Sequence, residues 1–270
     1  MKITFIGGGN MAAALIGGLR KQGFSAAGMQ VVDPNEESRN RLTESFGVRC
    51  TAAVDASALH CEVLMLAVKP QHMKEALAPC AGKLTRQLVI SIAAGLRITD
   101  MARWLGDYNR IVRTMPNTPA LIGAGITGLF ADDAVDLEGR TTAERILKAV
   151  GQTLWIDDEA HMDAVTAVSG SGPAYVFYFL EAVENAAREM GFSPEQARSL
   201  TVQTFVGAAK LAEQSTDPIA TLRERVTSKG GTTAAALDAF NVGQAAAAIR
   251  SGVLAANTRG RELGDILGQG

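Results

Sequence analysis

Residues 1–12 read MKITFIGGGNMA, and the order of residue types in this stretch decides the fold of the amino-terminal half. Residues 2–6 are mostly β-branched and aromatic, the composition of a buried strand. Gly7-Gly8-Gly9-Asn10-Met11-Ala12 then supplies G-x-G-x-x-A at the point where a helix opens. Each position has a physical task. Gly7 allows the tight turn, Gly9 has no Cβ to hold a pyrophosphate away from the backbone, and Ala12 lets the helix lie close to the strand. The helix amino end offers free N–H groups and a partial positive charge to phosphates. A tight turn that binds nothing uses the same letters. The strand before the glycines and the helix after them favour a dinucleotide site.

Working outward, apolar strand-like runs recur at residues 3–6, 29–32, 63–68, 88–92, 111–115, 126–130 and 153–156, separated by longer helical or mixed segments. This alternation predicts an α/β fold: an amino-terminal, Rossmann-type doubly wound sheet over residues 1–158. Such a sheet takes its ligand at the carboxyl ends of its strands, where the strand order reverses, which points to residues 7–12, 33–39 and 67–71. Beyond Asp157-Asp158-Glu159 no alternating β-branched run occurs, and Ala, Leu, Glu, Gln and Arg dominate. Residues 159–270 therefore read as an all-helical domain. Helices are expected over 162–168, 173–190, 194–214, 218–227, 233–240 and 242–267. Ser193-Pro194 and Asp217-Pro218 each read as an N-cap followed by proline at the first helical position. Small residues recur in these helices, as in Ala234-Ala235-Ala236. So many apolar faces are best buried against a second copy, which predicts a homodimerisation domain; a monomeric bundle is the alternative.

Composition narrows the function. The 270 residues suit two domains or one large α/β domain, and 26 Lys plus Arg against 28 Asp plus Glu leave no net field to draw nucleic acid or an anionic membrane. Cys50, Cys61 and Cys80 are an odd number without metal-ligand spacing, and His60, His72 and His161 form no cluster with them, so no metal is expected. Such cysteines suit reduced thiols in a cytoplasmic protein. The apolar run after Lys2 is far too short for the core of a signal peptide, and no later run approaches the ~18 residues of a membrane span.

Several further stretches carry chemistry. Asp33 stands at the end of the second apolar run, where an acidic side chain accepts hydrogen bonds from an adenosine ribose and favours NAD. Asn35, Arg39 and Arg41 come next, and an arginine there suits a 2′-phosphate, so the choice between NADH and NADPH stays open. Asp33-Pro34-Asn35 also reads as turn chemistry that caps the next helix, which is compatible with either cofactor. Lys69, in Leu66-Ala67-Val68-Lys69-Pro70-Gln71, follows a strand end, which favours a place beside a cofactor over an ordinary exposed loop charge. Asn117, in Met115-Pro116-Asn117-Thr118-Pro119, follows another and reads as a contact for an amide-like nicotinamide edge or as part of a rigid turn. Ser169-Gly170-Ser171-Gly172-Pro173 enters a helix with small residues and two hydroxyls; it reads as a packing joint or as the wall of a polar site. Val226-Thr227-Ser228-Lys229-Gly230-Gly231-Thr232-Thr233 opens onto another helix, and its successive N–H groups and hydroxyls suit a carboxylate; a plain glycine-rich helix connection is the alternative.

Taken together, FIGGGNMA (5–12), LAVKPQ (66–71), RTMPNTP (113–119), SGSGPAY (169–175) and TSKGGTT (227–233), with Arg259 and Glu262-Leu263, resemble the pyrroline-5-carboxylate reductases. The resemblance spans nearly the whole chain. It implies a Rossmann domain joined to an all-helical dimerisation domain, with dimers that assemble further into decamers. The implied activity is reduction of the cyclic imine 1-pyrroline-5-carboxylate to L-proline with NADPH or NADH. The implied cofactor loop falls on Ile6, Gly7, Gly8, Gly9, Asn10, Met11 and Ala12, the selector on Asp33 and Asn35, and strand-end contacts on Ala67, Val68, Lys69, Pro70 and Asn117. Substrate binding falls on Ser228, Gly230, Gly231, Thr232 and Thr233, with the Thr233 hydroxyl on the ring nitrogen as the catalytic contact. Two departures stand out: Lys229 replaces the proline of many members, and Asp33 would repel the 2′-phosphate of the NADPH that many members prefer.

Two rival readings remain. A hydroxyacid dehydrogenase built on a similar plan needs a positioned lysine acid, for which Lys210 is the candidate, without an accompanying motif. A nucleotide-sensing protein that kept the fold without catalysis is the other, and the intact 228–233 loop argues against it.

Overall fold

The runs Ile3–Ile6, Val63–Leu66 and Leu88–Ser91 are buried at every residue, because both faces of the sheet they form are covered. The computed structural model describes residues 1–269. In chain order the first elements are β1 (Ile3–Ile6), α1 (Asn10–Lys21), β2 (Met29–Val32), α2 (Glu36–Phe46), β3 (Arg49–Thr51), β4 (Val63–Leu66) and α3 (Met73–Leu77). Next come β5 (Leu88–Ser91), α4 (Ile98–Trp104), β6 (Ile111–Met115), β7 (Gly125–Ala131), α5 (Leu137–Leu147) and β8 (Gly151–Trp155). The strands form one eight-stranded sheet in the order β3-β2-β1-β4-β5-β6-β7-β8.

Strand side chains alternate between two apolar layers. Phe5, Val31, Met65 and Ile90 join α1 and α5 on one face, whereas Ile6, Val32, Leu66 and Val89 join α3 and α4 on the other. Because both faces are covered, the strands read as continuous apolar runs rather than alternating ones. Leu15, Ile16 and Leu19 of α1 are fully buried; each stabilises the fold by roughly 1.5–3 kcal/mol.

β1 pairs in parallel with β2 on one side and β4 on the other, with Ile3 level with both Met29 and Val63. The strand order therefore reverses beside β1, and the crevice at the carboxyl ends opens there. The β7 strand runs antiparallel to β6, and β8 runs parallel to β7. Residues 116–124, partly wound into a 3₁₀ turn, are too few for the crossover of a dozen or more residues that a parallel pair needs. Gly151 opens β8 at φ +147, and a Cβ added there would lie 1.9 Å from the carbonyl oxygen of Gly125, its register partner in β7.

The later elements are α6 (Met162–Val165), a π turn at Thr166–Gly170, α7 (Gly172–Glu189), α8 (Pro194–Gln214), α9 (Ile219–Arg225), α10 (Thr232–Val242) and α11 (Ala245–Gly268). Ser193 caps α8 with Pro194 at its first position, as expected, and Gln196 completes a capping box with it. The expectation at Asp217-Pro218 is corrected: Pro218 is itself the cap and α9 begins at Ile219. Asp217 does not cap because its carboxylate pairs with Arg225 at the far end of that helix.

The chain divides into two compact units. One comprises Met1–Ser171 with the chain from Ala256 onward, and the other is Gly172–Ala255. In the first, the end of α11 returns to α4 through Arg97–Asp265 and through Arg103 donating to the carbonyl of Gly268 at 2.6 Å. In the second, α7 packs on α8, and Phe177, Tyr178 and Phe240 are more than half exposed. Among the described residues no helix is long and apolar enough to cross a membrane.

Candidate functional site

The turn after β1 takes the shape its glycines allow. The Gly7 N–H donates to the Val32 carbonyl at 2.8 Å. Gly7 adopts φ +99, and a Cβ there would fall 2.6 Å from the Ala67 carbonyl oxygen, so only glycine fits between β1 and β4. Gly8 is pressed backwards, with an added Cβ 2.9 Å from Leu42 and 3.1 Å from Asp33. Gly9 is the contrast: a Cβ there would meet nothing within 4 Å. It is also the N-cap of α1, without a side-chain cap, so the first N–H groups of the helix are available to an anion.

In front of Gly9 lies a cleft of about 510 Å³ at the carboxyl ends of β1, β2 and β4. Of the expected cofactor residues, Ile6, Gly7, Gly8 and Gly9 line it from β1, Asp33 from β2, and Ala67, Val68 and Lys69 from β4. Open backbone at Gly9, an uncapped helix start and a cleft at the switch point fit a dinucleotide pyrophosphate.

Other expected residues take different places. Asn10 lines a separate groove along α1, Met11 packs partly buried against the core, and Ala12 is fully buried beneath the strand. Asn35 caps α2, its Oδ1 accepting from the Ser38 N–H at 2.8 Å, and Pro70 begins a 3₁₀ turn after β4. Asn117 has both ends of its amide engaged: Nδ2 donates to the Ser169 carbonyl at 3.2 Å, and Oδ1 accepts from the Ile126 N–H at 3.0 Å. It thus ties the end of β6 to the start of β7 and to the π turn.

Ala52, Val54, His72 and Glu75 also line the cleft, and no sequence motif had marked them. They follow β3 or sit in and before α3. The signal available was Gly47, a left-handed helix terminator at φ +68, which marks Val48 onward as a new element.

In the second unit, residues 228–231 form a turn in which the Gly231 N–H donates to the Ser228 carbonyl at 3.0 Å. Gly230 has φ +73, and Gly231 is the N-cap of α10 without a side-chain cap. Ser228, Lys229, Gly230 and Thr232 are exposed and Thr233 is half-buried. Thr232 and Thr233 occupy the first turn of α10, where N–H groups and hydroxyls lie at the positive end of the helix. The turn therefore has the donors a carboxylate requires.

All three cysteines are free thiols. Burial pushes Cys80 up to about 11 and raises Cys61 as well. Among the described residues no cluster of three or more His, Cys, Asp or Glu is arranged to hold a metal ion.

A cleft shaped for a dinucleotide at the reversal of a Rossmann-type sheet, in a chain that continues into helices, defines a dinucleotide-binding protein, the class to which the nicotinamide-dependent oxidoreductases belong. The family pattern described as pyrroline-5-carboxylate reductase dimerisation matches residues 159–263, and that described as NADP oxidoreductase, coenzyme F420-dependent, matches residues 2–95. The chain belongs to the pyrroline-5-carboxylate reductase family. It is 45% identical to the pyrroline-5-carboxylate reductase of Pseudomonas aeruginosa, over 99% of this chain and 98% of that protein. With the Haemophilus influenzae enzyme the identity is also 45%, over 97% of each chain. Among solved structures, the Coxiella burnetii pyrroline-5-carboxylate reductase superposes with a TM-score of 0.90 at 39% identity, covering 97% of this chain and 98% of that one. The Plasmodium falciparum enzyme, solved with NADP bound, gives a TM-score of 0.88 at 29% identity, covering 98% of each chain.

Proposed function

We propose that this protein reduces 1-pyrroline-5-carboxylate to L-proline, the last step of proline biosynthesis, with NADPH or NADH. The observation that carries this reading is the open cradle at Gly9 in a chain whose relatives are, over their full lengths, pyrroline-5-carboxylate reductases. A nicotinamide dinucleotide supplies the hydride when bound. The chain's own residues bind, orient and exclude. Residues 1–158 form the cofactor domain. In it Ile6, Gly7, Gly8, Gly9, Asn10, Met11 and Ala12 shape the pyrophosphate turn. Asp33 and Asn35 frame the adenosine end, and Ala67, Val68, Lys69, Pro70 and Asn117 the strand-end wall.

Residues 159–270 form the helical dimerisation and substrate domain. Ser228, Gly230, Gly231 and Thr232 receive the substrate carboxylate through N–H groups and hydroxyls. Thr233 is the catalytic contact, its hydroxyl fixing the ring nitrogen. A cyclic imine is basic enough to arrive partly protonated, and its carbon then accepts hydride without a strong acid. Positioning is accordingly the protein's main contribution.

The exposed Phe177, Tyr178 and Phe240 support a homodimer through the helical domain; the assembly of dimers into a decamer, and a place in the cytoplasm, are inferred from the family resemblance alone. Two measurements test these readings. The first follows oxidation of NADPH, then of NADH, with pyrroline-5-carboxylate and with hydroxy and keto acids. Turnover with the imine alone is expected; turnover with hydroxy acids, or dinucleotide binding without any turnover, refutes the assignment. The second is sedimentation, in which a monomer at micromolar concentration refutes the assembly.

A further inference from the structure

We propose that Asp33 and Arg41 are positioning residues that clamp Gly8 from behind for either nicotinamide dinucleotide, and that neither selects between the two. The proposal rests on the dinucleotide-dependent function proposed for this chain. The Gly8 N–H donates to Asp33 Oδ2 at 2.6 Å, and the Gly8 carbonyl accepts from Arg41 Nη2 at 3.1 Å. Both backbone groups of this one residue are therefore held by charged side chains, a carboxylate from the end of β2 and a guanidinium from α2.

The consequence for the site comes from peptide geometry. In a trans peptide the C=O and the next N–H point in opposite directions. With the Gly8 carbonyl fixed on Arg41, the Gly9 N–H faces the other way. Arg41 borders the groove along α1, whereas Gly9 lines the cleft in front of the turn. The guanidinium thus aims a donor at the phosphate position without standing in the cleft itself. An added Cβ on Gly8 would crowd Leu42 and Asp33, while one on Gly9 would meet open space. The turn is supported behind and open in front.

Asp33 is bound a second time. Its Oδ1 accepts from the Asn35 N–H at 2.8 Å, so one carboxylate joins the turn after β1 to the turn after β2. The carboxylate is met by N–H donors on both oxygens, which fixes its orientation whichever ribose lies before it. Held in this way, the carboxylate acts on both cofactors through the pyrophosphate turn that they share.

The test uses Asp33→Asn, which turns one accepting oxygen into a donor, Arg41→Met, and Arg41→Lys as the conservative variant. Binding of NADPH and of NADH is titrated by nicotinamide fluorescence without imine, alongside KM, kcat and thermal midpoints. The expected result is a rise of about tenfold in Kd and KM for both cofactors, the scale of one lost hydrogen bond. The Kd ratio and kcat stay within about twofold of wild type, and Arg41→Lys recovers part of the loss. If Asp33→Asn does not fold, the two Arg41 variants decide. A shift of the NADPH-to-NADH ratio beyond about fivefold, on the same energy scale, overturns the proposal by making either residue a selector. Unchanged affinity for both cofactors overturns it by removing the clamp. Dinucleotide binding without imine reduction by wild type overturns the reductase reading alone, since the clamp is read from binding.

Discussion

Arg113 and Asp163, 50 residues apart in sequence, meet through Nη2 and Oδ1 at 3.1 Å with both side chains nearly buried. The other arm of the same guanidinium donates to Glu159 Oε1 at 3.0 Å, and that oxygen also accepts from the Ile98 N–H at 2.9 Å. One arginine in β6 thereby fixes the approach to α6 and the start of α4. Removing one partner of a buried group leaves uncompensated charge, which costs about 3–5 kcal/mol. Arg113→Leu is expected to lose that much in urea unfolding. Asp265→Asn, in the exposed pair with Arg97, should lose under about 1 kcal/mol. Equal losses from the two variants would refute the distinction.

Gly7 and Gly9 are expected to fail in different ways. Gly7→Ala places a Cβ against the Ala67 carbonyl at positive φ and should destabilise the fold by at least ~1–3 kcal/mol. Gly9→Ala has φ −70 and open space, so its thermal midpoint should stay near wild type while dinucleotide affinity falls. Wild-type affinity in Gly9→Ala would move the pyrophosphate elsewhere.

Asn117→Ala removes two hydrogen bonds, to Ser169 and from Ile126. The expected loss is about 1–3 kcal/mol. Hydrogen exchange should quicken at the Ile126 amide, and unaltered exchange there would contradict the bond.

Thr233→Ala should lower turnover about tenfold, on the scale of one hydrogen bond, with dinucleotide affinity unchanged; Thr233→Ser should retain most activity. Full turnover by the alanine variant removes Thr233 from the chemistry.

Burial raises the Cys80 thiol from 9.0 to about 11, so the unfolded chain releases this proton first as pH rises. The contribution to stability is complete below about 9 and is lost between 9 and about 11. Unfolding free energy should decline across that window, and the decline should shrink in Cys80→Ala. Iodoacetamide at pH 8 should spare Cys80 in the native protein; rapid labelling there would show that the site opens.

Local residue patterns account for most of the architecture. Runs at 3–6, 29–32 and 111–115 coincide with β1, β2 and β6, because buried parallel strands are continuous apolar segments. The β3 strand escaped detection: Arg49-Cys50-Thr51 is short, partly exposed and without an apolar run. The reversal of β7 was hidden too, since strand direction depends on the length of the connection rather than on the strand's own residues. At the site, the glycines and Asp33 are conspicuous in the sequence. The bond between Gly8 and Asp33 is not, because it spans 25 residues. Arg113 lies within an apolar run, and its partners stand 46 and 50 residues further on.

The contact between Gly151 and Gly125 bears on how this sequence can change. A side chain at Gly151 would strike the carbonyl of Gly125, and backbone cannot shrink to make room. At Gly128 and Gly170 the obstacles are the side chains of Val165 and Met115, which a second substitution can trim. Since every replacement for glycine is larger, lineages can drift through the latter two positions by paired exchange. At Gly151 the obstacle is backbone, which no exchange of a second side chain removes.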